Sequence, residues 1–255
     1  MAVASYPAEL GNARLLSTAG GGTSLSATKA FIAIPAGTKH LQLTTRNFTT
    51  AVVAKVALNP HLVILKTNDA MATDPTDYSE NAQDGDAATL VTLSDMPTLA
   101  NGGALYIGAD DLFAGLQIDV VAPDGGAGAM AVTYWNGTAW TNITPTDNTS
   151  NMGSDGSVTW TVPTDWVKAF LSTILSTYRK GTTRELFWIR VVTATAYDAS
   201  ATLASIYPLN RFGAGGIEML AGQTLEREVN RARNGGSIHV ETDAGTGNLV
   251  VVGYS

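Results

Sequence analysis

The chain has 255 residues, 45% of them hydrophobic and only 15% charged, with a net charge of −7. That is enough apolar material for one large domain or two smaller ones, and too much for a disordered chain. The absence of cysteine excludes disulfides, thiolate metal centres and cysteine nucleophiles.

In chain order, residues 1–24 read as an N-terminal arm, in which Tyr6-Pro7, Leu10, Leu15 and Leu16 precede the flexible joint Gly20-Gly21-Gly22-Thr23-Ser24. Two accounts stay open: a frayed end, or an arm laid on a neighbouring subunit with Tyr6, Leu10, Leu15 and Leu16 as contacts. The start Met1-Ala2-Val3-Ala4-Ser5-Tyr6-Pro7 lacks the basic residues and apolar run of a secretion signal, and no stretch approaches the ~20 apolar residues of a membrane span. The expectation is a product made in the cytosol with no membrane partner.

Residues 25–100 read as a first β module. Phe31–Ile34 ends at Pro35-Ala36-Gly37; Leu41 and Leu43 alternate with polar neighbours; Ala54, Val56 and Leu58 alternate around Lys55. Asn59-Pro60 then turns the chain into the mostly apolar run His61–Lys66. Residues 67–86, with Asp74-Pro75 and Asp84-Gly85-Asp86, read as an exposed acidic loop, and Ala88–Leu93 as a strand. The module boundary is placed near Pro97–Gly103.

Residues 101–208 read as an aromatic-rich antiparallel β-sandwich, jelly-roll-like in strand pattern, and hold all five tryptophans. Met130–Tyr134 alternates into Trp135-Asn136-Gly137-Thr138, a tight turn in which Asn-Gly tolerates positive φ, and the returning strand carries Trp140. Val158, Trp160 and Val162 share one face of the next strand; Phe187, Ile189 and Val191 lie opposite Trp188 and Arg190. Burying one tryptophan removes roughly 150–250 Å² from water, so Tyr134, Trp135, Trp140, Trp160, Trp166 and Trp188 are expected to form a structural aromatic core. The spacing of Val167, Phe170, Leu171, Ile174, Leu175 and Tyr178 predicts one amphipathic helix near 164–180, capped by Thr164 and stopped by Gly181.

Residues 209–255 read as C-terminal strands and a hairpin, Ser237–Thr242 and Asn248–Val252 around Asp243-Ala244-Gly245-Thr246-Gly247. Ile217-Glu218-Met219-Leu220-Ala221-Gly222 parallels Ile32-Ala33-Ile34-Pro35-Ala36-Gly37. If the parallel is structural, 209–255 completes the first module and the aromatic module is inserted in it.

Charge is segregated. No Lys or Arg lies between Lys66 and Lys168, an interval holding 14 of the 22 acidic residues, a balance of −14 against +7 for the two ends together. This reads either as an acidic lobe or as a polarity that orients assembly, and it disfavours direct nucleic-acid binding by the middle segment.

No catalytic signature stands out. His40, His61 and His239 have no ligand spacing, there is no Gly-x-Ser-x-Gly elbow, and the glycine-rich stretches lack the lysine of a phosphate loop. Asp147, Asn148, Asn151 and Asp155 are hard-oxygen candidates for calcium without EF-hand spacing, and Asp110-Asp111 reads as a turn. No catalytic residue, metal site or cofactor is therefore assigned.

The order of Leu105-Tyr106-Ile107-Gly108, Phe113-Ala114-Gly115-Leu116, Tyr134-Trp135-Asn136-Gly137…Trp140, Val158-Thr159-Trp160, Pro163-Thr164-Asp165-Trp166 and Trp188-Ile189-Arg190, over about residues 103–195, resembles a β-sandwich module of tailed-bacteriophage structural proteins. The resemblance implies a virion component without enzymatic activity. Capsid-surface decoration or a neck or tail assembly role is expected, with capsid, neck or tail subunits and copies of itself as partners. The alternative is a carbohydrate-binding β-sandwich module that stacks exposed aromatics on sugars; tryptophan exposure separates the two.

Overall fold

The computed structural model describes residues 13–16, 23–25, 30–49, 53–86, 88–94, 96–125, 128–178, 184–209, 217–243 and 245–255. The protein is mainly β and divides into two compact units, residues 1–59 with 212–255, and residues 60–211.

The first unit is built from both ends of the chain. Its N-terminal part supplies β1 (Ala13–Leu15), β2 (Thr23–Leu25), β3 (Ala30–Ala33), β4 (His40–Arg46) and β5 (Ala54–Asn59). The intervening unit carries β6 (Val63–Thr67), β7 (Thr76–Asp77), β8 (Val91–Thr92), β9 (Ala104–Ala109), β10 (Gly115–Ala122), β11 (Met130–Trp135), β12 (Trp140–Ile143), β13 (Thr146–Asp147), β14 (Gly156–Thr159), β15 (Lys168–Ala169), the single helical turn α1 (Leu171–Ile174), β16 (Leu186–Thr193) and β17 (Thr202–Pro208). The chain then returns to the first unit with β18 (Ile217–Met219), β19 (Thr224–Glu228), α2 (Arg231–Asn234), β20 (Ser237–Thr242) and β21 (Gly247–Tyr254).

In the first unit, one sheet runs β1-β21-β4-β19 with β2 also on β21, and the other runs β18-β5-β20-β3. The period-two pattern sorts Leu41, Leu43, Leu249 and Val251 inward from the first, and Ile32, Val56, Ile238 and Val240 inward from the second. The parallel between the two glycine-ended stretches has a structural counterpart. β3 and β18 are the opposite edges of one sheet. Each passes through a positive-φ glycine, Gly37 (φ 86°) or Gly222 (φ 76°), into β4 or β19, which pair with each other in the opposite sheet, β1-β21-β4-β19. An added Cβ would meet nothing within 4 Å at either glycine, so the backbone angle alone requires it.

The expected boundary near Pro97–Gly103 is corrected: the units meet at residues 59 and 60. β6 belongs to the second unit as an interior strand between β9 and β7, which suits a run whose Ile64 and Leu65 enter different cores. The Pro97–Gly103 punctuation is a turn within that unit, where Gly102 has φ 91° and a Cβ on Gly103 would fall 1.7 Å from the Pro97 carbonyl oxygen. The charge segregation softens accordingly. The first unit holds eight basic and six acidic residues (+2), the second seven and sixteen (−9), because six of the basic residues after position 167 fall in the second unit.

The second unit packs a seven-stranded sheet, β12-β11-β16-β9-β6-β7 with β15 on β16, against the five-stranded β13-β14-β10-β17-β8. Phe187, Ile189 and Val191 point into the core between them, while Leu186, Trp188 and Val192 enter a second cluster on the far face. The amphipathic helix expected near 164–180 is also corrected. Trp166 inserts into the inter-sheet core, Lys168 and Ala169 pair with Phe187 and Leu186 just beyond the end of β11, and among the described residues of the span only Leu171–Ile174 is helical; the expected stop, Gly181, lies outside the described residues. The stretch of β16 that β11 does not reach gains a partner on that side this way, an outcome helix periodicity cannot encode. Val167 and Phe170, expected on the buried stripe, are 41% and 38% exposed.

Candidate functional site

Six aromatic residues were expected to form a structural core, with one or two of the rings left open as rim residues, and the structure divides them. Tyr134, Trp160 and Trp166 lie between the two sheets of the second unit, with Phe113 and Phe187. Phe113 meets Trp160 at 5.7 Å and Trp166 at 5.2 Å between ring centroids, and Trp166 also meets Tyr134 and Phe187. Trp188 is fully buried on the opposite face of the seven-stranded sheet, its ring so close to Gly108 that an added Cβ would approach it to 2.7 Å. The three buried indoles donate their N–H groups to backbone carbonyls: Trp160 to Phe113 (3.1 Å), Trp166 to Trp188 (3.1 Å) and Trp188 to Ala169 (2.9 Å). Their polar handles are satisfied internally, as a scaffold requires.

Trp135 and Trp140 are half-buried and lie on the same face as Trp188. Strand register sets Tyr106, Arg190, Thr133 and Asn142 in one row across β9, β16, β11 and β12, with the Trp135–Trp140 pair alongside. The Arg190 guanidinium sits 4.8 Å from the centroid of the Trp140 ring, and its Nε donates to Thr133 Oγ1 at 3.3 Å. Trp140 also meets Trp135 at 5.7 Å and Tyr106 at 5.6 Å. Burial raises the pKa of Tyr106, partly offset by the adjacent Arg190 charge. Leu171 and Tyr178 cover the Trp188 end of the face.

The turn at Trp135-Asn136-Gly137-Thr138 forms, but asparagine works differently from the expectation. Gly137 takes the positive φ (100°), and Asn136 Oδ1 accepts from Thr138 N–H, Thr138 O–H and Ala139 N–H. Beyond it, β12 is an edge strand that pairs, among the described residues, only with β11. The site therefore offers ring faces, one guanidinium and an open strand edge, groups suited to contact. Arg190 was visible in sequence only as the polar member of an alternating strand. Its seat on Trp140 depends on register.

Of the expected assembly contacts, Tyr6 and Leu10 lie outside the described residues. Leu15 lies in β1, which pairs with β21 of the same chain, and Leu16 packs half-buried against the first unit's core. Three of the four calcium candidates, Asp147, Asn151 and Asp155, accept from backbone N–H groups, and Asn148 bonds a side chain. Asp147 caps Thr149 and Asn151, Asn151 Oδ1 accepts from Met130 N–H, Asp155 accepts from Val120 N–H, and Asn148 bonds Ser157. Asp110 pairs with Lys168 at 3.0 Å. His61 lies 3.3 Å from Glu80, and His239 stacks on Phe31 at 4.6 Å. Among the described residues no three His, Asp or Glu side chains group to hold a metal ion, and no helix is long and apolar enough to cross a membrane.

No protein-family model matches the chain, and no curated protein does.

Proposed function

We propose that the chain is a non-enzymatic structural component of a tailed-phage virion, a capsid-surface decoration or neck or tail assembly protein that acts through subunit contacts. The observation that carries this reading is the burial of Trp160, Trp166 and Trp188 with their N–H groups satisfied internally. The motifs behind the phage resemblance thus serve as scaffold. Its partners are other virion proteins and copies of itself. The test is density-gradient purification of particles from the phage carrying the gene, followed by mass spectrometry and immunogold labelling. The chain is expected to co-purify at fixed stoichiometry; particles lacking it overturn the reading.

A second reading, a carbohydrate-binding module, draws on the half-buried Trp135 and Trp140. The Arg190 guanidinium already stacks on Trp140, which leaves less ring for a sugar. Saturable quenching of tryptophan fluorescence by a polysaccharide, lost in Trp140→Ala, would favour this reading over assembly.

A further inference from the structure

Exposed strand edges invite pairing, and folded proteins guard them with charge, proline or short length. Two edge strands of at least four residues are flanked on both sides by described residues, β12 and β19, and they are guarded differently.

Backbone parity tells which groups each edge presents. In the β11–β12 ladder, Asn136 N–H donates to the Ala139 carbonyl, so pairs 134/141 and 132/143 exchange hydrogen bonds and pairs 135/140 and 133/142 do not. The N–H and C=O groups of Trp140 and Asn142 therefore point away from β11, and β12 has no strand partner on that side among the described residues. In the β4–β19 ladder, Val229 N–H donates to Lys39 and Thr45 N–H to Gln223, so Thr224, Glu226 and Glu228 present the outward groups.

A copy of each edge meets it differently. Antiparallel self-pairing of β19 centred on Glu226 sets Glu226 against its own copy. Centred on Arg227, it sets the two arginines opposite each other and Glu226 against Glu228. Both of these registers oppose like charges, which destabilises them; a register centred on Leu225, which leaves Glu228 beyond the paired strand, avoids the conflict. From Gly137 to Thr146 the β12 edge has no charged residue. A two-fold axis at Thr141 sets Trp140 opposite Asn142 of the second copy and threonine opposite threonine. Both outward pairs then exchange backbone hydrogen bonds without a charge conflict.

We propose that β12 is a homodimerisation edge, at which two copies join their seven-stranded sheets antiparallel about Thr141. As a biological role this rests on the assembly reading above; its geometry rests on the edge itself. The −9 balance of each second unit opposes approach, so the dimer tightens as salt screens it.

The test is sedimentation-velocity centrifugation of the full chain over a dilution series, at low and high salt. Asn142→Pro deletes an outward donor without touching the β11 ladder, and Asn142→Lys adds an edge-guarding charge at an exposed position. Each is expected to weaken the dimer at least about tenfold with an unchanged circular dichroism spectrum, while Glu226→Pro, the equivalent change on β19, leaves it intact. A monomer at every concentration, or a dimer indifferent to both Asn142 variants, overturns the proposal. Either result leaves the particle-labelling test standing. Conversely, an Asn142-sensitive dimer absent from particles overturns the assembly reading alone.

Discussion

The two units solve the same packing problem with different chain economy. The second takes one continuous stretch, residues 60–211, and holds every tryptophan and six of the eight tyrosines. The first takes its strands from both ends of the chain, and β18–β21 contribute to both of its sheets. A continuous unit closes its core with local contacts. A split one must bring together segments separated by the whole insert, at a loop-closure cost that grows only slowly with length. The second unit should therefore stand without the first's C-terminal strands, but the first cannot.

The largest expected effect tests this directly. A chain stopped after residue 211 should keep the near-ultraviolet circular dichroism of the tryptophans and lose the strands of the first unit, seen as a fall in far-ultraviolet β signal and rapid amide exchange over residues 30–59. Loss of the tryptophan signal would show the units to be interdependent. Next in size, Trp188→Ala should cost about 3–5 kcal/mol, confined to the second unit and measured by chemical denaturation with hydrogen exchange to locate the loss.

Alkaline pH should also single out the second unit. Burial, with the nearby Asp119 and Asp84 charges, pushes the Tyr207 phenol up to about 12, and burial beside Asp124 and Asp147 raises Tyr197 too. The folded state keeps these protons after the unfolded chain has released its own near pH ~10. Their contribution is thus complete below about pH 10 and declines as pH rises toward 12, by at most about 1.4 kcal/mol per pH unit per group. Spectrophotometric titration should show at least two tyrosines ionising late, with unfolding tracking them. The smallest effect falls on the first unit. Gly37→Ala and Gly222→Ala should each cost about 1–2 kcal/mol, since each forces a side chain into left-handed backbone, and thermal melts of the two should match. A large difference between them would break the correspondence between the two turns.

What sequence made legible was the alternation. The faces of Val158–Val162 and Phe187–Val191 and the Asn-Gly turn follow from period two and turn chemistry, which are local. The expected C-terminal hairpin is corrected: its two strands form, but β20 pairs with β3 and β5 while β21 pairs with β1, β2 and β4 in the other sheet, so the Asp243–Gly247 stretch crosses between sheets. What it hid was decided at a distance. The 164–178 segment has a helical apolar stripe, yet its backbone is claimed by the side of β16 that β11 leaves uncovered and its Trp166 by the inter-sheet core. Gly102-Gly103 looks like a linker because glycine marks any tight backbone, whether between domains or within one. The half-buried rank of Trp135 and Trp140 depends on β12 being an edge, a fact of strand order that no window of residues contains.

The hydrogen bond from the Trp188 indole to Ala169 gives the second unit an internal gauge. The donor sits on an interior strand and the acceptor on the short segment that leads into the cover of that face, so the exchange rate of this one indole proton reads whether the segment is seated. Anything that pries residues 168–178 from the sheet, a partner or a protease included, should register there before any strand lets go.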